Sequence, residues 1–152
     1  MKGFLYNERK FKIKDNNDYT ILNNIEDLEF ILFDYDDYLD IETATLFFNN
    51  LPNTIKYIVI ENSNFTSYID MIERHKQNGF NNDIELEEKI NYEFAKHSNN
   101  LNKILNNIPS SIKYIFLNYH ESYNLKKLPF NCKITNQMDQ DYYNIITKVR
   151  FF

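Results

Sequence analysis

Asp34-Tyr35-Asp36-Asp37-Tyr38-Leu39-Asp40 puts four carboxylates into seven residues, the densest run of chemistry-bearing side chains in this 152-residue chain. Carboxylate oxygens at such spacing suit a hard cation, and with His120 from elsewhere in the chain they would be the raw material of a metal-dependent enzyme. The run lacks the central glycine and terminal glutamate of a calcium loop, and Asp40 sits where a helix N-cap is wanted. The plainer reading is a solvated loop leading into a helix, with no metal and no cofactor. His75 and His97 fall in helical stretches without ligand spacing and are expected at the surface. Cys132 has no nucleophile signature around it and shares its column with Leu28, Ile55 and Ile112, so a small buried hydrophobe is expected there. Gly3 and Gly79 stand alone and cannot build a phosphate-cradling loop.

These residues must be positioned by something, and the composition says by what kind of chain. With 43% hydrophobic residues, 13 Phe and 12 Tyr, the polypeptide carries too much apolar surface to stay disordered. Its length is that of one domain, 1–152. The net charge of −5 opposes phosphate-backbone binding, so no nucleic-acid partner is expected. No apolar run reaches membrane-spanning length and no signal core is evident, and a single cysteine fits a reducing compartment, so the expectation is a cytoplasmic protein with no membrane partner. Richness in Asn, Ile, Lys, Tyr and Phe, with only two Gly and no Trp, is the mark of AT-rich codons.

The elements announce themselves by repetition. Leu51-Pro52-Asn53-Thr54-Ile55-Lys56-Tyr57-Ile58-Val59-Ile60 returns as Ile108-Pro109-Ser110-Ser111-Ile112-Lys113-Tyr114-Ile115-Phe116-Leu117. A looser copy runs from Ile25 to Phe33, and a fourth starts at Leu128-Pro129. Each copy reads L-x-x-L-x-L, whose last positions alternate as a strand requires, which predicts strands near 28–34, 55–61 and 112–118. Proline ahead of the strand supplies a fixed turn without a wasted donor. Helices are predicted from Asp40 to about Asn49, from Asp70 to Gln77 before Gly79, and along the periodic apolar residues Ile90 to Ile108. Pro109 and Pro129 are twenty residues apart, whereas more than thirty additional residues separate Pro52 from Pro109. A helical insertion over about 70–107 is therefore expected.

The phrase Ile108-Pro109-Ser110-Ser111-Ile112-Lys113-Tyr114-Ile115 resembles the FNIP repeat, a short leucine-rich-repeat variant of amoebae and of the giant DNA viruses that infect them, with the pattern L-P-x-S-I-x-x-L followed by F-N-Q-P-I. Phe65-Thr66-Ser67-Tyr68-Ile69 keeps only the spacing of the second half. The likeness covers roughly 48–69 and 105–134 and is weak over 18–38. It implies an α/β leucine-rich-repeat-like solenoid with parallel strands, an adaptor-type role, and a cytoplasmic setting that is the host's if the chain is viral. Proteins with such repeats often carry other domains, some of them an F-box, and a single-domain chain of 152 residues is not expected to hold one as well.

In such a solenoid Ile58, Ile60, Ile115 and Leu117 face the core, and the alternate side chains form ladders across the sheet. The first ladder would be Phe30, Tyr57 and Tyr114, the second Leu32, Val59 and Phe116, and the third Asp34, Glu61 and Asn118. Two adjacent apolar ladders expected in solvent would make a patch of roughly a few hundred Å², a size that marks an interaction site. The expected function is accordingly a non-enzymatic module that binds a protein partner, or a second copy as a homodimer, through Phe30, Leu32, Tyr57, Val59, Tyr114 and Phe116. The competing possibilities are that the insertion or a terminal segment covers this face, and that the chain is the metal-dependent enzyme of Asp34 to Asp40 with His120. Residues of about 135–152, ending in Ile145-Ile146-Thr147-Lys148-Val149-Arg150-Phe151-Phe152, are apolar enough to seal the last repeat.

Overall fold

Apolar alternation yields six short strands, three of them preceded by a proline turn, here described in a computed structural model covering residues 1–7, 18–36, 38–62, 68–79, 82–118 and 123–151. In chain order they are β1 (Lys2–Tyr6), β2 (Leu28–Tyr35), β3 (Tyr57–Asn62), β4 (Tyr114–Leu117), β5 (Lys133–Thr135) and β6 (Arg150–Phe151). All pair in parallel, in the spatial order β5-β4-β3-β2-β1-β6. Helices α1 (Ile41–Asn49), α2 (Tyr68–Gln77), α3 (Asp83–Ile104) and α4 (Gln140–Ile146) connect them, with a 3-10 helix at Asp18–Asn24.

Repetition in sequence becomes repetition in geometry at the turns. The N–H of Ile55 reaches the carbonyl of Pro52 (3.2 Å), that of Ile112 the carbonyl of Pro109 (3.3 Å), and that of Cys132 the carbonyl of Pro129 (3.1 Å). Ser111 Oγ donates to the Ile55 carbonyl at 2.7 Å and ties one turn to the next. The three copies diverge only after the last turn. Lys133 pairs with Tyr114 and Ile134 with Ile115, one residue off the register that sequence alignment suggests, because the fourth phrase is shorter by one residue between turn and strand.

Strands β1 to β5 step sideways in a single direction, and their helical connections lie on one face. Ile31, Phe33, Ile58, Ile60, Ile115 and Leu117 point into that layer and meet Phe47 and Phe48 of α1 and Phe94, Leu101 and Ile104 of α3. The inserted helices therefore sit behind the sheet, away from the ladders. Asp40 caps α1 by accepting from the N–H groups of Glu42 (3.1 Å) and Thr43 (3.4 Å), as its place before an apolar run implies. Asn82 does the same for α3 at Ile84 N–H (2.8 Å).

The connection from β5 to β6 must run back across the whole sheet. Right-handed crossovers that travel in opposite directions occupy opposite faces, so this return is expected on the ladder side, and α4 is found there. Residues 136–151 do not seal the outer edge of β5; they form a strap from one edge of the sheet to the other.

Two expectations need correction. His75 and His97 are buried, 2% and 4% exposed, not at the surface. His97 lies on the inner side of α3 with Phe94 and Leu101, and its burial is tolerated because Nδ1 is 2.7 Å from the Tyr35 hydroxyl, which also accepts from Asn100 at 3.0 Å. His75 sits against Glu93 of α3 (3.6 Å), which also pairs with Arg74 (3.2 Å).

The ladder face as candidate interaction site

The rungs assemble in the register read from the repeats. Phe30 is opposite Tyr57 and Tyr57 opposite Tyr114; Leu32 is opposite Val59 and Val59 opposite Phe116. Strand β1 adds Gly3 and Leu5 to the two rows, and β5 adds Lys133 and Thr135. The Tyr57 and Tyr114 rings lie 6.1 Å apart, and Tyr114 stacks on Phe116 with centroids 5.4 Å apart and planes 1° from parallel. Ahead of the first row, Glu29 and Lys56 form an ion pair at 2.9 Å.

The face is roofed by the strap. Phe30, Val59 and Phe116 are fully buried beneath Tyr142, Ile145, Ile146 and Val149, while Leu32, Tyr57 and Tyr114 are half-buried. Tyr142 packs on Phe116 (5.2 Å), and Phe151 meets Phe30 edge to face (5.8 Å). At its far end the strap becomes β6, where Arg150 N–H donates to the Met1 carbonyl at 2.9 Å. Gly3 is what admits it there: a Cβ at that position would lie 2.6 Å from Val149 Cγ1.

The roof itself is thin. No residue of α4 is buried. Its near end is held by polar contacts: Tyr114 OH donates to Asp141 (3.3 Å), Thr135 Oγ1 donates to Asp139 (3.1 Å), and the Asp139 carboxylate accepts from Asp141 N–H (2.8 Å). That backbone donor, with Thr135 and Lys133, holds the Asp139 carboxyl below its usual range. The Asp141 carboxylate pushes the Tyr114 phenol up, with Lys133 over the same ring at 5.8 Å opposing it. Gln137 fastens the elbow, its side chain donating to the Ile60 carbonyl at 3.2 Å.

No family model, curated protein or solved structure matches this chain.

The acidic run is spread over separate tasks. Asp34 accepts from Asn7 at 3.1 Å and stands opposite Glu61, Asp36 accepts from Tyr38 N–H at 2.9 Å to shape a turn, and Asp40 caps α1. Burial, then the Asp34 charge, raises the Glu61 carboxyl, and burial with Glu61 raises Tyr142. Asp37 and His120 lie outside the described residues. Among the described residues no group of three or more His, Cys, Asp or Glu could hold a metal ion, and no helix is long and apolar enough to cross a membrane. Cys132 is half-buried against the main core, and burial pushes its thiol up to about 11.

Two parts of the site escape a reading of the repeats. Strand β1 has no proline turn before it and spans only five residues, although the run Gly3-Phe4-Leu5-Tyr6 is a strand-forming composition. The strap was recognisable as apolar, but its destination beside β1 depends on a contact across nearly the whole chain.

Proposed function

We propose that this chain is a non-enzymatic, leucine-rich-repeat-like interaction module whose docking groove is the apolar ladder face, held closed by its own C-terminal strap. One observation carries this reading: the fully buried Phe30, Val59 and Phe116 owe their cover on this face to a segment whose helix buries none of its own residues. A segment that contributes side chains from one side only behaves as a resident ligand, and a partner presenting a similar amphipathic strip can compete for the same surface. The half-buried Leu32, Tyr57 and Tyr114 are the first footholds for such a partner. Rungs in common register, repeated proline turns and the Ser111 link between turns support the solenoid part of the proposal.

The test uses the full chain and an Ile146→Glu variant that places a charge under the strap. A labelled synthetic peptide of residues 136–152 is titrated against both, and an apolar dye reports the ladder. The reading expects the variant to keep its cooperative unfolding, bind the dye, and take up the peptide at least about tenfold better than the parent chain. It fails if the variant unfolds as a whole, because the strap is then integral core, or if neither peptide nor dye binds better.

A further inference from the structure

The strap leaves the outer edge of β5 without a strand neighbour among the described residues. Lys133 N–H goes to the Lys113 carbonyl at 2.8 Å, so by the alternation of a parallel ladder the peptide N–H and C=O of Ile134 point outward. Leu125, Leu128, Cys132 and Ile134 pack on the core but stay only partly buried, unlike Ile55, Ile58, Ile112 and Ile115 of the inner rungs. A repeat stack that ends in this way presents an unfinished core.

The repeats also supply an internal comparison. The residue after the turn proline is Asn53 in one copy and Ser110 in the next, both exposed and polar. In the last copy it is Phe130, 91% exposed. The same hydrogen-bonded turn thus offers solvent a phenyl ring only where no further rung follows. Around it, residues 123–139 hold Lys126, Lys127 and Lys133 against Asp139 alone, in a chain whose net charge is −5. The Asp139 carboxylate is engaged by Thr135 and the Asp141 N–H. A second copy docking here about a two-fold axis would bring lysines against lysines. An acidic segment meets the opposite charge.

We propose that the β5 edge, with Phe130 as apolar anchor and Lys126, Lys127 and Lys133 as charge guides, receives an extended acidic segment of a partner polypeptide as an added strand. The site touches the ladder face only through Lys133, which stands beside Tyr114, and does not require release of the strap.

The experiment is a fluorescence-anisotropy titration of the full chain with two short labelled peptides of alternating valine and charged residues around a central phenylalanine, one with glutamates and one with lysines. The glutamate peptide should bind at least about tenfold tighter, and more weakly as salt rises. Phe130→Ser should weaken it about tenfold, and Lys126→Glu with Lys127→Glu should reverse the preference toward the lysine peptide. Because these side chains are exposed, thermal unfolding of each variant should match the parent and separate lost binding from lost fold. Equal binding of both peptides, or an unchanged Phe130→Ser, overturns the proposal. So does sedimentation showing a parent dimer that Phe130→Ser dissolves, which would assign the edge to a second copy, and so does failure of both peptides, which would make the lysines simple guards of a bare edge.

Discussion

Replacing Gly3 by alanine should unseat the end of the strap and leave the sheet standing. The added methyl would lie 2.6 Å from Val149 Cγ1 and 3.0 Å from Phe151 Cε1, roughly 1 Å short of a normal carbon contact for the first. Strand β1 is hydrogen-bonded along its length to β2 but to only two residues of β6, so the strap is the side that yields. Overpacking costs about 1–3 kcal/mol, and replacing glycine in a strand returns about 0.5–1 kcal/mol, for a net loss of up to about 2.5 kcal/mol. Val149→Ala alone should cost about 1 kcal/mol through lost half-buried methyl contacts. In the double variant Cγ1 is gone and the clash with it, so the two losses should fall short of additivity by about 1 kcal/mol or more. Urea unfolding of the four proteins gives the cycle. Hydrogen exchange at Arg150 N–H, which donates to the Met1 carbonyl, should accelerate in Gly3→Ala and slow again in the double variant. Additivity within about 0.3–0.5 kcal/mol, with exchange at Arg150 unchanged, would refute the placement of Val149 over Gly3.

Other expectations follow from the same packing. Tyr35→Phe removes the hydroxyl shared by His97 and Asn100 inside the core and should cost about 1–3 kcal/mol in denaturant unfolding. Cys132, its thiol raised to about 11 by burial, should react slowly with a thiol reagent near neutral pH and speed up as pH climbs toward that value; fast labelling at neutral pH would contradict its place against the core. Glu61, raised by burial and by Asp34 across the ladder, is destabilising when ionised. Its neutral form is favoured by folding, so that contribution is present at acid pH and lost as pH rises through its folded-state titration. Glu61→Gln should therefore raise the unfolding midpoint at neutral pH, with the gain fading as pH falls through the carboxylate range; a gain that is constant with pH would rule out this origin.

The rungs were legible because a strand's two-residue alternation and a proline turn are local signals. Ile58, Val59 and Ile60 have their counterparts Ile115, Phe116 and Leu117 in register, and that register could be read by laying one phrase over the other. The shift at β5 was not, since one missing residue after Cys132 changes the pairing without disturbing the turn. Burial of His97 depends on a hydroxyl 62 residues away, and no periodicity within α3 announces such a partner. The roof was the least legible part. An apolar C-terminal stretch can seal the last rung or fold back over the ladders, and the choice is made by the handedness of the return crossover and by the room left at Gly3.

Ring-to-ring nuclear Overhauser effects in solution test the roof most directly, on a sample mixing isotope-labelled and unlabelled chains. Cross-peaks within one chain between Phe116 and Tyr142, and between Phe30 and Phe151, are expected from centroid separations of 5.2 and 5.8 Å. Their absence, or their appearance only between chains, would contradict a groove closed by its own C-terminal segment.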